Sequence, residues 1–264
     1  MNIIVCIKQT PDVSKVKFDA ATRTLQRQGV ENIMNPFDRQ ALEVGLTLKD
    51  KEGGKVTVIT MGLPQAADIL KEAISMGADD AVLLTDRALA GSDSLATSKA
   101  LAAAIKKIGE YDLILCGKQA VDGDTAQVGP EIAEHLGIPQ ITGSLSLKFE
   151  DGKFVAEREN ESVATTLACA APLLVTVSKS EKEPRFASIK GKMKARKAQI
   201  PTWGVADLGI APEDTGLKGS PTKVKKAFTP VPPEIHTEII KEDDVDKAVD
   251  ILLEKLIAAN LVKR

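Results

Sequence analysis

The chain has 264 residues, of which 43% are hydrophobic and 27% are charged, and its formal net charge at pH 7 is −2. This composition is typical of a globular protein, and the weak negative charge argues against a nucleic-acid-binding protein, which needs a strong positive field. Three cysteines without paired spacing argue against zinc or iron–sulfur sites and fit a reducing compartment. Because we find neither a signal-peptide pattern nor an apolar run long enough to span a bilayer, we expect a cytoplasmic protein without membrane insertion.

Strands and helices are predicted to alternate over most of the chain. Apolar residues at helical spacing predict four helices between the strands, and strands that alternate with helices indicate βαβ crossovers. The fold class is therefore predicted to be α/β, with a mostly parallel, doubly wound sheet. Continuous apolar runs, typical of strands buried on both faces, cover 3–7, 56–60, 81–84, 113–116 and 173–177. The predicted helices cover 38–49, 65–76, 94–108 and 125–136.

A small antiparallel extension of the sheet is predicted after residue 139. Two alternating stretches, 145–149 and 153–157, flank the turn dipeptide Asp151-Gly152. This pattern is typical of a β-hairpin, and a third extended stretch follows at 162–167.

The C-terminal part of the chain is predicted to be an extended arm. Prolines interrupt the periodicity between 181 and 233, and residues 242–259 then form an amphipathic helix with acidic residues in its first turn. The apolar stripe of this helix must be buried either on its own domain or on a partner subunit. We expect an α/β domain at 1–190 and a Pro-rich arm with a terminal helix at 191–264.

The loop at 117–128 is the most informative of the loops that follow the predicted strands, where ligands bind in open parallel sheets. Gly117 and Gly123 allow the backbone to approach a ligand closely, and Asp124 and Thr125 are cap-type residues that open a helix. A helix N-terminus suits a phosphate. The loop matches neither a Walker A nor a GxGxxG motif, and a phosphate-binding loop and an ordinary capped turn are equally supported by its local composition.

Two other segments carry polar side chains beside predicted strands. The segment 35–38 precedes a helix, and its local sequence favours an N-terminal capping device over a ligand site. The segment 91–98 is rich in hydroxyl groups beyond what one cap requires. Ser94 and Thr97 could therefore hydrogen-bond the edge of a ring such as a flavin.

Neither histidine indicates acid–base catalysis. His135 lies within a predicted helix and His236 in the Pro-rich arm, and no nucleophile–base pair stands out, so we expect no catalytic residue. The basic run at 190–197 is either a solvated loop or a docking surface, with Ile189 and Met193 as apolar anchors among charges that steer an acidic partner.

An ordered set of motifs resembles the β subunit of electron-transfer flavoproteins. The resemblance covers nearly the whole chain, and no single motif carries it. The signature-like region runs through 157–177 to Glu183-Pro184-Arg185-Phe186-Ala187-Ser188-Ile189 and Met193-Lys194-Ala195-Arg196-Lys197. The other matching motifs are Cys6-Ile7-Lys8, Asn35-Pro36-Phe37, Met61-Gly62 and Gly117-Lys118-Gln119-Ala120.

The resemblance implies a heterodimer with a larger α subunit that carries one FAD, and a nucleotide in this chain, which is AMP in simple members and a second FAD in electron-bifurcating members. It also implies that a loop around Ile189 docks partner dehydrogenases, with Arg185, Met193 and Lys194 beside it. The implied cofactor-binding residues are Cys6, Asn35, Pro36, Phe37, Asp38, Met61, Gly62, Ser94, Thr97, Gly117, Gln119, Asp122, Gly123, Asp124, Thr125, Ala126, Gln127 and Val128. No metal site is implied.

The choice between FAD and AMP favours FAD. The stretches 122–130 and 86–98 are similar to the bifurcating type, and Gly123 removes a side chain where the larger nucleotide's phosphates would pass. The resemblance then implies that NADH delivers a hydride to this FAD. One electron would pass through the α-subunit FAD to a high-potential acceptor of the acyl-CoA dehydrogenase type, and the other to ferredoxin or flavodoxin. A non-bifurcating subunit with AMP, and a stand-alone nucleotide-binding protein, remain the alternatives.

Overall fold

The computed structural model describes residues 1–12, 15, 17–19, 24–26, 31–160, 163–178, 183–225 and 237–262. The chain divides into two compact units, Met1–Lys225 and Lys226–Arg264. The first unit thus continues past residue 190, where the sequence placed the boundary, because a further helix and a short strand join its α/β layers.

Nine of the described strands form one sheet, and the remaining strands form two short antiparallel pairs. In chain order the strands are β1 (Asn2–Cys6), β2 (Gln9–Pro11), β3 (Lys17–Asp19), β4 (Thr24–Gln26), β5 (Asn32–Met34), β6 (Lys55–Met61), β7 (Asp80–Leu84), β8 (Leu113–Gly117), β9 (Gln140–Glu150), β10 (Lys153–Asn160), β11 (Val163–Cys169), β12 (Leu173–Val177) and β13 (Thr202–Trp203). The large sheet has the order β11-β10-β9-β12-β8-β1-β6-β7-β13, and β2 pairs with β5 and β3 with β4.

The strands from β9 to β13 in this order pair in parallel. On its other side β9 pairs antiparallel with β10, and β10 pairs antiparallel with β11. These pairings confirm the predicted α/β class and its small antiparallel extension. The strands that were predicted as buried runs lie in the order β7-β6-β1-β8-β12. The chain therefore reverses its direction of winding between β1 and β8, and this topological switch point is where doubly wound sheets bind ligands.

Helices cover both faces of the parallel strands because the strand side chains alternate between two buried clusters. Ile3 and Val5 of β1 belong to one cluster, and Ile4 and Cys6 to the other. The helices are α1 (Pro36–Glu52), α2 (Ala67–Met76), α3 (Ser94–Ile108), α4 (Val128–Leu136), α5 (Ile189–Lys197), α6 (Val205–Leu208), α7 (Gly216–Gly219) and α8 (Val245–Ala258). Side chains of α1 and α2 belong to the first cluster, and side chains of α3 and α4 to the second.

Helix α4 begins later than the sequence predicts. Its first residue is Val128 rather than Thr125. Asp124 and Ala126 have φ angles of 53° and 54°, which are incompatible with a right-handed helix, so the prediction that Asp124 and Thr125 open the helix is wrong. These residues instead form an irregular turn between β8 and α4.

The segment after 181 is less extended than the sequence predicts. Helix α5 packs against α2 and buries Ala195 in the first cluster. Strand β13 extends the sheet edge, where Leu83 donates to Pro201 and Thr85 to Trp203 through their backbones. Parts of three predictions lie outside the described residues. These parts are residues 181, 182 and 226–233 of the predicted irregular segment, the predicted strand start at 162, and His236.

The second unit contains the predicted amphipathic helix as α8. Asp244 caps it by accepting from the backbone N–H of Asp246 at 3.0 Å, as its first-turn acidic residues led us to expect. None of the residues in this described helix is buried, and Val245, Val249 and Leu252 are exposed by 73%, 55% and 48%. Among the described residues, the helices are too short or too polar to cross a membrane.

Candidate functional site at the switch point

The loops after β1 and β8 meet at the switch point, as the sequence predicts. Ile7 continues the β1 ladder with a backbone bond to Ile59, and Lys118 continues the β8 ladder with a bond to Val177. Beyond these bonds both chains leave the sheet at its carboxyl edge. The segment 35–38, at the start of α1, lies against both of them.

Asp38 joins these two loops through backbone hydrogen bonds. Its Oδ2 accepts from the N–H of Lys8 at 2.7 Å, and its Oδ1 accepts from the N–H of Gly117 at 3.0 Å. Asp38 is 6% exposed, and this burial raises the pKa of its carboxyl from 3.8 to about 7, although the two backbone bonds act in the opposite direction. A Cβ at Gly117 would collide with the Asp38 carboxylate, so the glycine is needed for this close approach of chain to chain.

Asn35 anchors the next part of the loop at 117–128. Its Nδ2 donates to the carbonyl of Gln119 at 2.8 Å, and its Oδ1 accepts from the N–H of Val121 at 3.2 Å. Its own N–H bonds the carbonyl of Lys8 at 2.8 Å. The capping interpretation of this segment is wrong, because the Asn35 side chain makes no cap bond to α1 and instead holds a loop that is distant in sequence.

Pro36 and Phe37 form the first turn of α1 between these two anchors. The fixed φ of a proline suits this first helical turn. Phe37 is half-buried, and its backbone carbonyl carbon is one of the atoms that a side chain at Gly117 would meet. Both residues therefore help to shape the wall beside the loop.

Charged side chains brace the outer part of the loop. The Nζ of Lys8 lies 2.8 Å from both carboxylate oxygens of Asp122, and the Nε2 of Gln119 donates to Asp124 at 2.7 Å. The Lys8 and Asp122 side chains are 48% and 32% exposed, so their pair is worth at most about 1 kcal/mol. The pair orients the loop more than it stabilises the fold.

The tip of the loop is open. A Cβ built on Gly123 would meet no atom within 4 Å, and its φ lies outside the left-handed region. Asp124 and Ala126 adopt left-handed backbone, and the N–H of Asp124 bonds the carbonyl of Ala120 at 2.9 Å, so this part of the loop is a turn rather than a helix. Thr125 lies between them and is exposed.

The N-termini of α3 and α4 meet on one side of this loop. Ser94 Oγ lies 3.0 Å from Gln127 Oε1 and 3.1 Å from Glu131 Oε1. Gln127 precedes Val128 at the start of α4 and makes no side-chain cap bond. Thr97 is one turn further along α3, where its backbone N–H bonds the carbonyl of Asp93, so Ser94 is the hydroxyl that the structure brings to the loop.

The remaining predicted residues lie at the ends of β1 and β6. Cys6 and Cys116 are partners across the β1–β8 ladder and are both buried. The adjacent Cys6 thiol and burial raise the pKa of the Cys116 thiol, which therefore stays protonated at neutral pH. Met61 packs against the second cluster, and Gly62 donates its N–H to the carbonyl of Leu84 at 3.0 Å.

Sequence reasoning did not select Lys8 or Glu131 as site residues, and it included Lys118 only as part of the loop 117–128. Lys8 and Glu131 contact predicted loop or helix residues, and one Glu131 oxygen is buried without a hydrogen-bond partner in the described part of the chain. Lys118 and Ala126 line a cleft of about 360 Å³ beside the loop, together with Pro130 of α4. The position of Lys8 and Lys118 directly after two buried strands was the available signal.

The predicted docking residues divide into two kinds. Ile189 and Met193 are exposed by 82% and 58%, and the neighbouring Phe186, which sequence reasoning did not select, is exposed by 90%. Arg185 instead forms a bidentate pair with buried Glu43, with Nε–Oε2 at 2.9 Å and Nη2–Oε1 at 3.0 Å.

The hydrogen bonds to Glu43, together with Asp50, raise the pKa of Arg185. Lys194 donates to the carbonyls of Ala78 and Asp79, which follow α2. Arg185 and Lys194 therefore fasten α5 to its own domain.

The fold and this site define a doubly wound α/β protein with a preformed loop at its switch point. Residues 22–208 match the family described as Electron transfer flavoprotein domain. The chain is 49% identical to the electron transfer flavoprotein subunit beta of Megasphaera elsdenii, with 99% of this chain and 100% of the relative covered. It therefore belongs to the electron-transfer flavoprotein family and, within it, is similar throughout its length to β subunits.

Two further relatives carry other names. The caffeyl-CoA reductase-Etf complex subunit CarD of Acetobacterium woodii is 43% identical, with 99% of this chain and 100% of the relative covered. Protein FixA of Azorhizobium caulinodans is 46% identical, with 87% of this chain and 85% of the relative covered. The family resemblance drawn from the motifs is thus confirmed.

Proposed function

We propose that this chain pairs with an α subunit as an electron-transfer flavoprotein and binds FAD at the loop 117–128. The observation that carries this proposal is the open tip of that loop, held in place by Asn35 and Asp38 from below. Both side chains form hydrogen bonds with backbone groups of the loops, so the loop is held in its shape without a ligand. A preformed loop lowers the entropy cost of binding.

The residues at the loop fit the phosphates of a nucleotide. The first turn of α4 has no side-chain cap from Gln127, which leaves its N–H groups for an anion at the positive end of the helix dipole. Thr125 and Gln127 are exposed and supply side-chain donors. The space above Gly123 admits a group that any larger residue would obstruct.

The size of the site favours a dinucleotide. The loop opens on one side to the cleft of about 360 Å³ and on the other to Ser94, at the junction of α3 and α4. AMP would occupy the space on only one side of the loop, whereas the two nucleotide halves of FAD would occupy the space on both sides. This extra room supports FAD as the nucleotide.

The chain's own contribution is binding and orientation. Asp38 and Asn35 hold the loop, the α4 N-terminus and Gln127 would bind phosphate, and the Ser94 hydroxyl, which donates to Gln127 Oε1, would lie near the ring. The raised pKa of Cys116 keeps this buried thiol protonated at neutral pH. When bound, FAD would supply the redox chemistry of this site, with NADH as the proposed hydride donor and two proposed electron acceptors.

The partners in this proposal are an acyl-CoA dehydrogenase-type flavoprotein, reached through the α-subunit FAD, and ferredoxin or flavodoxin. The name of the Acetobacterium woodii relative, a subunit of a caffeyl-CoA reductase-Etf complex, supports a CoA-ester reductase as the first partner. The exposed apolar side chains of α8 support the α subunit as the structure that covers this helix. The cysteine usage supports a cytoplasmic location.

The test is to identify the nucleotides of the purified complex. The chain is co-expressed with its α subunit, the bound nucleotides are released by denaturation, and FAD and AMP are quantified by chromatography. Two FAD per complex and anaerobic bleaching of flavin by NADH are expected. One FAD with one AMP, and no response to NADH, would instead establish the non-bifurcating subunit.

A further inference from the structure

The cleft beside the loop has the chemistry of an anion site. Two cationic side chains, Lys118 and Arg158, contribute to its wall, together with hydroxyl groups of Thr142, Thr176 and Ser178. The described residues that line this cleft include no carboxylate. It lies where β8 and β12 end, beside Thr142 and Gly143 of β9, next to the loop that we propose to bind FAD. We call it the Lys118–Arg158 cleft.

The hydroxyl of Thr176 is positioned to donate. Thr176 is 2% exposed, and its Oγ1 accepts from the backbone N–H of Gly143 at 2.9 Å. A hydroxyl that accepts this bond keeps its single proton for another acceptor. Gly143 has a φ of 70°, a conformation that turns the backbone of β9 toward Thr176 and that favours glycine.

The first turn of α4 is fixed against the same wall. A Cβ on Gly129 would collide with the Cγ2 methyl of Thr176, so only glycine permits this approach of α4 to β12. Pro130, the next residue, lines the cleft. The positive end of the α4 dipole therefore lies beside the cleft and adds to the potential of its two cations.

The cationic charge of Lys118 is uncompensated within the part of the chain that the structure describes, where its side chain forms no ion pair. Arg158 contributes a planar guanidinium with a buried Nε. A guanidinium, an ammonium and hydroxyl groups that line one cleft form a donor set that suits phosphate oxygens.

We propose that the Lys118–Arg158 cleft binds a phosphate group of a dinucleotide. This inference rests on the proposed function in one respect, namely that the loop 117–128 holds a nucleotide. The phosphate has two possible sources with the same chemistry: the resident FAD and the nicotinamide dinucleotide that reduces it. The neighbouring loop and the cleft share Lys118 and Ala126, so either source is within reach of both.

The experiment compares the purified αβ complex with its Lys118→Gln and Arg158→Gln variants. The matched control is Lys148→Gln, which removes an exposed cation from β9 outside the cleft. Binding of inorganic pyrophosphate to the nucleotide-free complex is measured by calorimetry. We expect each cleft variant to weaken this binding about tenfold, as expected for one charge-assisted contact, and the control to leave it unchanged.

Two further measurements distinguish the source. A fall in the FAD content of both cleft variants assigns the phosphate to the resident flavin. An unchanged FAD content with a KM for NADH raised about tenfold, and competition by pyrophosphate, assigns it to the substrate. Arg158 is half-buried and Lys118 is exposed, so Lys118→Gln decides the outcome if Arg158→Gln fails to fold.

Pyrophosphate binding that is absent from the wild-type complex, or equal in Lys118→Gln and Lys148→Gln, overturns the inference. The proposed function fails by a different result, namely AMP in place of FAD among the released nucleotides. Since pyrophosphate is titrated into nucleotide-free protein, the cleft is tested whichever nucleotide the loop carries.

Discussion

Asp38 accepts the backbone N–H of Gly117 at 3.0 Å and so fastens the end of β8 to the first turn of α1. The same carboxylate holds the N–H of Lys8 at the end of β1. A single buried side chain thus spans the topological switch point and joins the two loops between which a ligand of a doubly wound sheet binds. Its burial also makes it the group whose protonation matters most for this edge of the sheet.

The first prediction concerns pH. Because burial raises the pKa of Asp38 from 3.8 to about 7, the folded state binds more protons than the unfolded state between these values. The free energy of unfolding contributed by this group therefore falls as pH rises from about 4 to about 7, and is flat above that range. Urea unfolding of wild type and Asp38→Asn at several pH values measures this slope.

Asp38→Asn should remove that pH dependence and cost about 1–3 kcal/mol, because the amide leaves one backbone N–H without an acceptor. The control is Asp68→Asn, at an exposed position in the first turn of α2. Equal slopes for wild type and Asp38→Asn across this interval would contradict the raised pKa.

The second prediction concerns the contact between α4 and β12. Gly129→Ala should destabilise the protein by about 1–3 kcal/mol, because the new methyl collides with Cγ2 of Thr176. Thr176→Ser removes that methyl and retains the hydroxyl that accepts from Gly143. The double variant should therefore recover most of the loss, as measured by chemical denaturation, whereas strictly additive effects would show that the two groups do not meet.

The third prediction separates binding from stability at Gly123. Gly123→Ala should leave the free energy of unfolding of the nucleotide-free protein within about 0.5 kcal/mol, because the added Cβ meets no atom within 4 Å. The affinity for the nucleotide should fall at least tenfold, since a methyl group intrudes on the bound phosphates. Fluorescence titration with FAD measures the affinity, and undiminished binding would place the nucleotide elsewhere.

The fourth prediction concerns the exposed apolar surface formed by Phe186, Ile189 and Met193. Phe186→Ala and Ile189→Ala should each slow electron transfer to a partner dehydrogenase about tenfold, since exposed apolar anchors dominate docking energies. The matched control is Val224→Ala, which truncates another apolar side chain that is 91% exposed. The partner-reduction rate is measured under saturating NADH, and similar rates for all three variants would argue for another docking surface.

Local sequence signals predicted the regular elements well where the stabilising partners are near in sequence. Helix α3 was predicted with its observed bounds, Ser94–Ile108, because Asp93 caps it and Gly109 follows it. Strand β12 also has its predicted bounds, Leu173–Val177. The start of α4 was missed because cap-type residues occupy a turn that is shaped by its contacts with Asn35 rather than by the helix.

The chain's own residue pattern determined the α/β layers, the convergence of the loops at one sheet edge and the family resemblance. These follow from apolar periodicity and from the order of motifs, which are local properties of the sequence. Only the tertiary structure decided that Asn35 and Asp38 hold the loop, that Arg185 and Lys194 fasten α5, and that Lys118 and Arg158 share a cleft. The physical reason is that each of these contacts joins residues far apart in the chain, and hydrogen-bonding capacity in a sequence does not specify a partner until the fold brings one within about 3 Å.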